Sequence, residues 1–270
     1  MITASIVIYN SPERDFQTII SCVANSAVRK IYVIDNASTD RLRTQIENLS
    51  AKVVYIQGQG NVGYGAAHNI ALREAIRQGV KYHLVVNPDI AFQEGVIEKI
   101  AAFMDSHPEA GQLIPKVKYP TGELQYACNL IPTPLDLLFR RFLPAKFNMK
   151  RAKRFQLKFT GYDKIMNVPY HHGCFMFFRV AALIETGLFD ERFFMYPEDI
   201  DITRRVHEKF ATLFYPDVEV IHSHAAESRK SLKMLRIHII NLIRYFNKWG
   251  WFFDRKRLET NRKILKELQY

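Results

Sequence analysis

An α/β fold, a parallel sheet covered by helices on both faces and followed by a basic helical tail, is what this 270-residue sequence predicts. Three observations carry that reading. Short β-branched runs alternate with helical stretches through the N-terminal part, polar residues stand directly after several of those runs, and beyond Arg229 the chain becomes basic and aromatic with helical spacing.

The strand candidates are Ser5–Tyr9, Ile31–Ile34, Val53–Ile56 and Leu84–Val86. Between them Asp15–Asn25, Arg41–Leu49 and Gly65–Arg77 are long enough for helices and carry apolar residues at helical spacing. Strands this short, alternating with helices, read as a parallel sheet buried on both faces. A helix over Glu94–Met104 and a strand over Leu113–Val117 continue the alternation. The middle is irregular: Pro132 and Pro134 break the pattern, and residues 132–167 read as a loop-rich, basic insertion. Regular structure returns with Cys174–Phe178 as a buried strand and Glu198–Phe210 as a helix with Ile202, Val206 and Phe210 four apart. Thr212–Tyr215 and Glu219–Ile221 read as two short strands around a Pro216-Asp217 turn. The organisation expected is one catalytic domain over residues 1–228 and a tail over 229–270.

Composition narrows the class. A hydrophobic fraction of 48% supports a sizeable core and excludes a disordered chain. Cys22, Cys128 and Cys174 are odd in number, scattered and without a CxxC pair, which argues against a disulfide framework or zinc site and for a reducing compartment. The N-terminus has no basic region before its first apolar run, and no stretch approaches the ~20 apolar residues of a membrane span. A cytoplasmic protein is expected. The net charge of +11 calls for nucleic acid, an anionic membrane surface or phosphorylated substrates as partner. No helix-turn-helix, zinc-finger or RNA-binding signature is present, so nucleic acid is set aside.

In an open parallel sheet ligands bind beyond the carboxyl ends of the strands. Tyr9 and Asn10 stand there after the first strand, Asp35 after the second, and Asn87-Pro88-Asp89 after the fourth. Asp35 is placed to accept hydrogen bonds from a base or ribose, or to cap the helix that follows, a task Ser38 or Asp40 also serves. Asn61-Val62-Gly63-Tyr64-Gly65 precedes a helix that contains Asn69; its glycines allow close backbone approach to an anionic ligand. Asp89 suits a hard cation against phosphate oxygens, or an ordinary turn. Tyr196-Pro197-Glu198-Asp199-Ile200-Asp201 packs three carboxylates behind an aromatic run, a setting that raises a carboxyl towards a general base. The plainer reading is acids decorating a helix start. His222 and His224 follow a strand and matter for a metal only if Asp89 lies close.

Taken in order, these segments resemble family 2 inverting glycosyltransferases of the GT-A fold, nearest the bacterial rhamnosyltransferase-like members. The matching residues are Ile8-Tyr9-Asn10, Val33 to Asp40, Asn61 to Gly65 with Asn69, Asn87-Pro88-Asp89, Gly173-Cys174-Phe175-Met176, Phe189 to Phe194, Glu198-Asp199-Ile200-Asp201 and His222. The resemblance implies a mostly parallel central sheet with helices on both faces and transfer of a sugar from a nucleotide-sugar donor, dTDP-rhamnose first, then UDP-GlcNAc, UDP-Gal or UDP-galactofuranose. It implies that Asp35 reads the nucleobase. Tyr9, Asn10, Asn61, Gly63, Asn69 and Asn87 would line the donor, with Gly173, Cys174 and Glu198 near the sugars. Asp89 and His222 would hold Mg2+ or Mn2+, and Asp199 would be the catalytic base. Asn87 departs from the usual first acid of the metal motif, so a single carboxylate is offered and weaker metal binding is expected. Asp201 is assigned to the helix start or to Arg204 or Arg205. The acceptor implied is a lipid-linked or oligosaccharide hydroxyl of O-antigen or capsule. The tail then suits an anionic membrane surface, packing on the catalytic domain, or an oligomer contact.

Overall fold

The computed structural model describes residues 1–10, 16–37, 39–137, 149–223 and 232–270. In chain order the elements are β1 (Ile2–Ile8), α1 (Gln17–Ala24), β2 (Val28–Asp35), α2 (Arg43–Glu47), β3 (Val53–Gln57), α3 (Tyr64–Arg77), β4 (Tyr82–Val86), β5 (Ile90–Ala91), α4 (Val96–Ser106), β6 (Ala110–Lys118) and β7 (Cys128–Asn129). They continue with α5 (Met149–Phe155), β8 (Met166–Asn167), β9 (Tyr170–His171), β10 (Phe175–Arg179), α6 (Val180–Thr186), α7 (Glu198–His207), β11 (Ala211–His222), α8 (Leu232–Trp249) and α9 (Arg255–Glu267).

The main sheet has the order β3-β2-β1-β4-β10-β6-β11-β5, with β8 also paired to β11. Strands β3, β2, β1 and β4 run parallel, as do β6 and β11. The sheet is mixed rather than purely parallel, because β10 enters antiparallel between β4 and β6. A mostly parallel sheet is the expected architecture; the reversed strand leaves no local mark, because an apolar run such as Phe175–Phe178 is buried on both faces in either direction.

Alternation along the strands builds two apolar layers. Phe175 and Phe177 join the large cluster on one face with Leu84, Val86, Ile31 and Val33. Met176 and Phe178 join Val85, Leu72, Leu183, Phe189, Ile202 and Val206 on the other, where α3, α6 and α7 pack. Period-two side chains on β4 and β10 therefore serve opposite faces, as a sheet covered on both sides requires.

Two sequence expectations need correction. Thr212–Tyr215 and Glu219–Ile221 are one strand, β11; Pro216-Asp217 lies in a bulge where the register against β6 shifts between Tyr215 and Glu219. The interval 132–167 is not loop-rich throughout, since α5, a 3-10 turn at Lys158–Thr160 and β8 lie within it. Residues 138–148 and His224 lie outside the described residues. The tail forms α8 and α9, which pack back on the sheet domain. Tyr245 and Phe246 are buried, the Asn241 amide donates to Met195 O at 2.9 Å, and Asn261 bonds both the N–H and the carbonyl of Ile131. Among the described residues no helix is long and apolar enough to cross a membrane.

Candidate active site

The carboxyl ends of β2, β1 and β4 lie side by side, and they bring the sequence-predicted residues to one edge. Tyr9 and Asn10 are exposed after β1. Asp35 ends β2 almost fully buried; one carboxylate oxygen accepts from the Ala37 N–H at 2.8 Å and the other from the Tyr55 hydroxyl at 2.5 Å. The capping-type bond to Ala37 and the tyrosine fix the carboxylate rather than leave it mobile. Asn36 beside it donates to Gly63 O at 3.1 Å, so the β2 end and the glycine turn are tied together. Asn61 is exposed and accepts from the Gly63 N–H at 3.2 Å.

Gly63 is a position only glycine can hold. Its φ is +88°, and a Cβ there would come within 2.2 Å of Phe194 O. The next residue, Tyr64, donates its N–H to that same carbonyl at 2.9 Å, locking the start of α3 to the aromatic run. Asn69 has a different task from the donor contact the resemblance implied. Its amide is spent on the 189–191 turn, donating to Phe189 O and Glu191 Oε1 and accepting from the Phe189 N–H, each near 3 Å.

The end of β4 is pinned from three sides. Asn87 donates its N–H to Cys174 O at 2.9 Å, Pro88 O accepts from the Thr18 hydroxyl at 2.6 Å, and Asp89 O accepts from the Ser223 N–H at 2.9 Å. Strand β5 follows at once and pairs Ile90 with His222 of β11. That pairing sets Asp89 next to His222, and their side chains meet with Nε2 and Oδ1 3.3 Å apart. The other ring nitrogen, Nδ1, is held by Gln125 Oε1 at 2.8 Å, which fixes the ring's orientation. Burial would lower this imidazole, yet the Asp89 carboxylate and the Cys174 side chain outweigh it and hold it up at about 10. The pair fits a divalent cation in part: one carboxylate and, once the cation displaces the ring proton, one imidazole nitrogen, with the Asp89 side chain 26% exposed towards solvent. Among the described residues no cluster of three or more His, Cys, Asp or Glu could hold a metal on protein donors alone. A cation here needs oxygens from the ligand as well.

Gly173 and Cys174 join this half of the site to the acidic helix. Cys174 O holds the β4 end, while the Gly173 N–H donates to Asp199 Oδ2 at 3.1 Å and Gly173 O accepts from the Tyr64 hydroxyl at 2.7 Å. A Cβ on Gly173 would lie 3.2 Å from Asp199 Cβ, so the close approach depends on glycine. Asp199 Oδ1 also faces the Ile200 N–H at 2.8 Å at the start of α7, where the helix dipole favours negative charge. Asp199 is half-buried, whereas Glu198 is buried with Oε2 lacking a hydrogen-bond partner among the described residues. Burial, and then the adjacent Asp199 charge, push the Glu198 carboxyl well above the ordinary range. The apolar setting expected for the base thus acts on its neighbour. Asp201 points away: it pairs with Arg205 at 2.9 Å and with Lys248 at 2.7 Å and accepts from the Trp249 indole at 2.8 Å. Of the two arginines considered for it, Arg205 is the partner; Arg204 goes to Asp254.

Tyr64 and Tyr55 escaped the sequence reading. Tyr64 is half-buried, and burial, then the charges of Glu198, Cys174, Asp199 and Asp89, raise its hydroxyl well above the usual value. One side chain therefore senses both halves of the site. The signal was in the motif, since Tyr64 stands between Gly63 and Gly65, but a tyrosine opening a helix looks like core.

Residues 3–187 match the family model described as glycosyl transferase family 2. The chain belongs to that family. Similar proteins include the N-acetylglucosaminyl-diphospho-decaprenol L-rhamnosyltransferase of Mycobacterium tuberculosis, 24% identical over 81% of this chain and 74% of its own, and the rhamnosyltransferase WbbL of Escherichia coli K12, 28% identical over 87% and 86%. Solved structures share the GT-A fold at lower identity. GalNAc-T7 with UDP, GalNAc and Mn2+ superposes with a TM-score of 0.61 at 15% identity, covering 82% of this chain and 43% of its own. The mannosyltransferase PcManGT from Pyrobaculum calidifontis with GDP-Man and Mn2+ gives 0.59 at 14%, covering 99% and 74%.

Proposed function

We propose that this glycosyltransferase moves a sugar, with dTDP-rhamnose as favoured donor, onto a hydroxyl of a lipid-linked surface glycan with inversion at the anomeric carbon. The observation that carries the reading is the Gly173-Cys174 bridge, which ties a fixed carboxylate, Asp199, to the end of β4, where Asp89 meets His222 of β11. The names of the mycobacterial and E. coli relatives support rhamnose, and the mycobacterial name supports a diphospho-polyprenol acceptor.

In this reading Asp35, Tyr9, Asn10, Asn61 and Gly63 form the nucleoside end of the site, and Asn87 and Asp89 face the diphosphate. Asp199 takes the proton of the acceptor hydroxyl as its oxygen bonds to the anomeric carbon. The bond to the diphosphate oxygen breaks on the opposite face, and its electron pair leaves with the nucleoside diphosphate. Asp89 and His222 would hold Mg2+ or Mn2+, the mixed oxygen and nitrogen donors leaning to Mn2+. A bound cation supplies neutralisation of the departing diphosphate. The enzyme works in the cytoplasm at the membrane that carries its acceptor.

The test is transfer of radiolabelled sugar to N-acetylglucosaminyl-diphospho-polyprenol from dTDP-rhamnose, UDP-GlcNAc, UDP-Gal and UDP-galactofuranose in parallel. Turnover with dTDP-rhamnose above the others is expected. Preference for a UDP-hexose would replace the donor, a reading that the relation to the hexosyltransferase Agl10 of Haloferax volcanii favours (26% identical over 87% of this chain).

A further inference from the structure

The tail divides its apolar residues into two sets. Tyr245, Phe246, Ile264 and Leu265 are buried against the domain. Ile239, Ile240 and Ile243 stay exposed on α8, and the turn between α8 and α9 exposes Trp251, Phe252 at 72% and Phe253 at 98%. At ~100° per residue, positions 239, 240 and 243 span an arc of about 100° opposite Asn241 and Tyr245, with the buried Phe246 at its edge. A solvated surface has no reason to hold six large apolar side chains along one helix face and its end.

We infer that this face, Ile239, Ile240 and Ile243 with Trp251, Phe252 and Phe253, docks into the headgroup region of an anionic bilayer. The inference rests on the lipid-linked acceptor of the proposed function and adds the surface that meets the lipid.

Charge selects the occupant. From Arg229 to Phe253 the sequence carries six Lys or Arg and no Asp or Glu. On the described helix, Arg236 and Arg244 are exposed beside the isoleucines, and Arg255 is exposed just beyond the phenylalanines. Cations around an apolar face with aromatics at its end match an anionic interface. A second copy fits less well, because a two-fold contact sets the same face against itself and brings cation to cation with no acid on that helix to answer it.

The same helix touches the reaction centre. Asn241 holds Met195 O, and the His238 ring lies 5.1 Å from the Tyr196 ring, on the segment that leads to Asp199. From α8, Lys248 and Trp249 reach Asp201, two residues beyond Asp199 in the first turn of α7. Docking by the outer face of α8 therefore sets the reaction centre roughly one helix diameter, ~10 Å, from the lipid surface from which a lipid-linked hydroxyl would arrive.

The test uses the full chain, vesicles rich in phosphatidylglycerol, vesicles of phosphatidylcholine alone, and the double variant Phe252→Ser, Phe253→Ser. These side chains touch no part of the active site, so the variant's melting temperature and its turnover of donor with a water-soluble acceptor should equal those of the unaltered chain. The unaltered chain is expected to float with the anionic vesicles and far less with the neutral ones. Partition of the variant should fall about tenfold or more. No flotation of the unaltered chain, or equal flotation of the variant, overturns the inference. A dimer in light scattering that the double variant dissolves overturns it in favour of a second copy. An unaltered chain that turns over the soluble acceptor but does not float removes the surface alone; an unaltered chain that floats but consumes no nucleotide sugar removes the catalytic reading alone.

Discussion

Neighbouring carboxylates in this site are separated by environment rather than by chemistry. Glu198 is enclosed while Asp199, one residue on, is half open and held by a backbone N–H. The folded chain keeps the Glu198 proton after an unfolded chain would release it. Stability therefore falls as pH rises from the ordinary 4.5 towards about 8, and is flat above that. Glu198→Gln removes the slope: the difference in melting temperature between variant and parent should grow across that window, and a constant difference would show that Glu198 is not held protonated. At Gly173 the constraint is steric. Gly173→Ala places a methyl 3.2 Å from Asp199 Cβ, so the carboxylate must move. A loss of about tenfold or more in kcat with donor KM little changed is expected from steady-state kinetics; a normal kcat would mean the contact does not position the base. At the other end, Asp89→Ala should abolish transfer, and Mn2+ added after EDTA should restore the unaltered enzyme but not the variant. Full activity in excess EDTA would remove the metal role.

At the scale of elements, α7 is the hinge of the design. Its first turn carries Asp199, and its second is bolted to the tail by Arg204, whose guanidinium meets Asp254 at 2.7 and 2.9 Å with both side chains buried. The Trp249 ring covers Arg204 at 3.9 Å, and Asp254 also caps α9 by accepting from the Arg257 N–H. Asp254→Ala strands a buried cation and removes the cap, so a loss of roughly 3–5 kcal/mol in urea unfolding is expected. A loss under about 1 kcal/mol would show that the tail does not support α7. The sequence made Asp199 and the acidic helix start legible because their residue types carry the chemistry. It left Arg204–Asp254 hidden because two ordinary surface-type charges stand 50 positions apart.

In the whole molecule, buried histidines set the acid limit. Burial pushes His83 and His171 down to about 3 and His207 to about 4, so they stay neutral in the fold while an unfolded chain takes up protons below 6.5. Stability is lost as pH falls through that window, and urea midpoints should decline steadily between pH 6.5 and 4; a midpoint constant over that range would contradict the burial. The alternation of strands and helices, the polar strand ends and the acidic helix were all legible because each is local. The reversed direction of β10 was not, since it arises from pairing across the sheet, and the Asp89–His222 meeting was legible through the family resemblance alone, because the β5–β11 pairing that makes it leaves no local pattern. The central claim is that Asp199 takes the acceptor's proton, and one paired measurement reaches it most directly: sugar transfer and calorimetric donor binding in Asp199→Asn, beside Glu198→Gln and Asp201→Asn. The expected result is a loss of about 10²–10⁴-fold in transfer for Asp199→Asn alone at unchanged donor affinity; near-normal transfer by Asp199→Asn would contradict it.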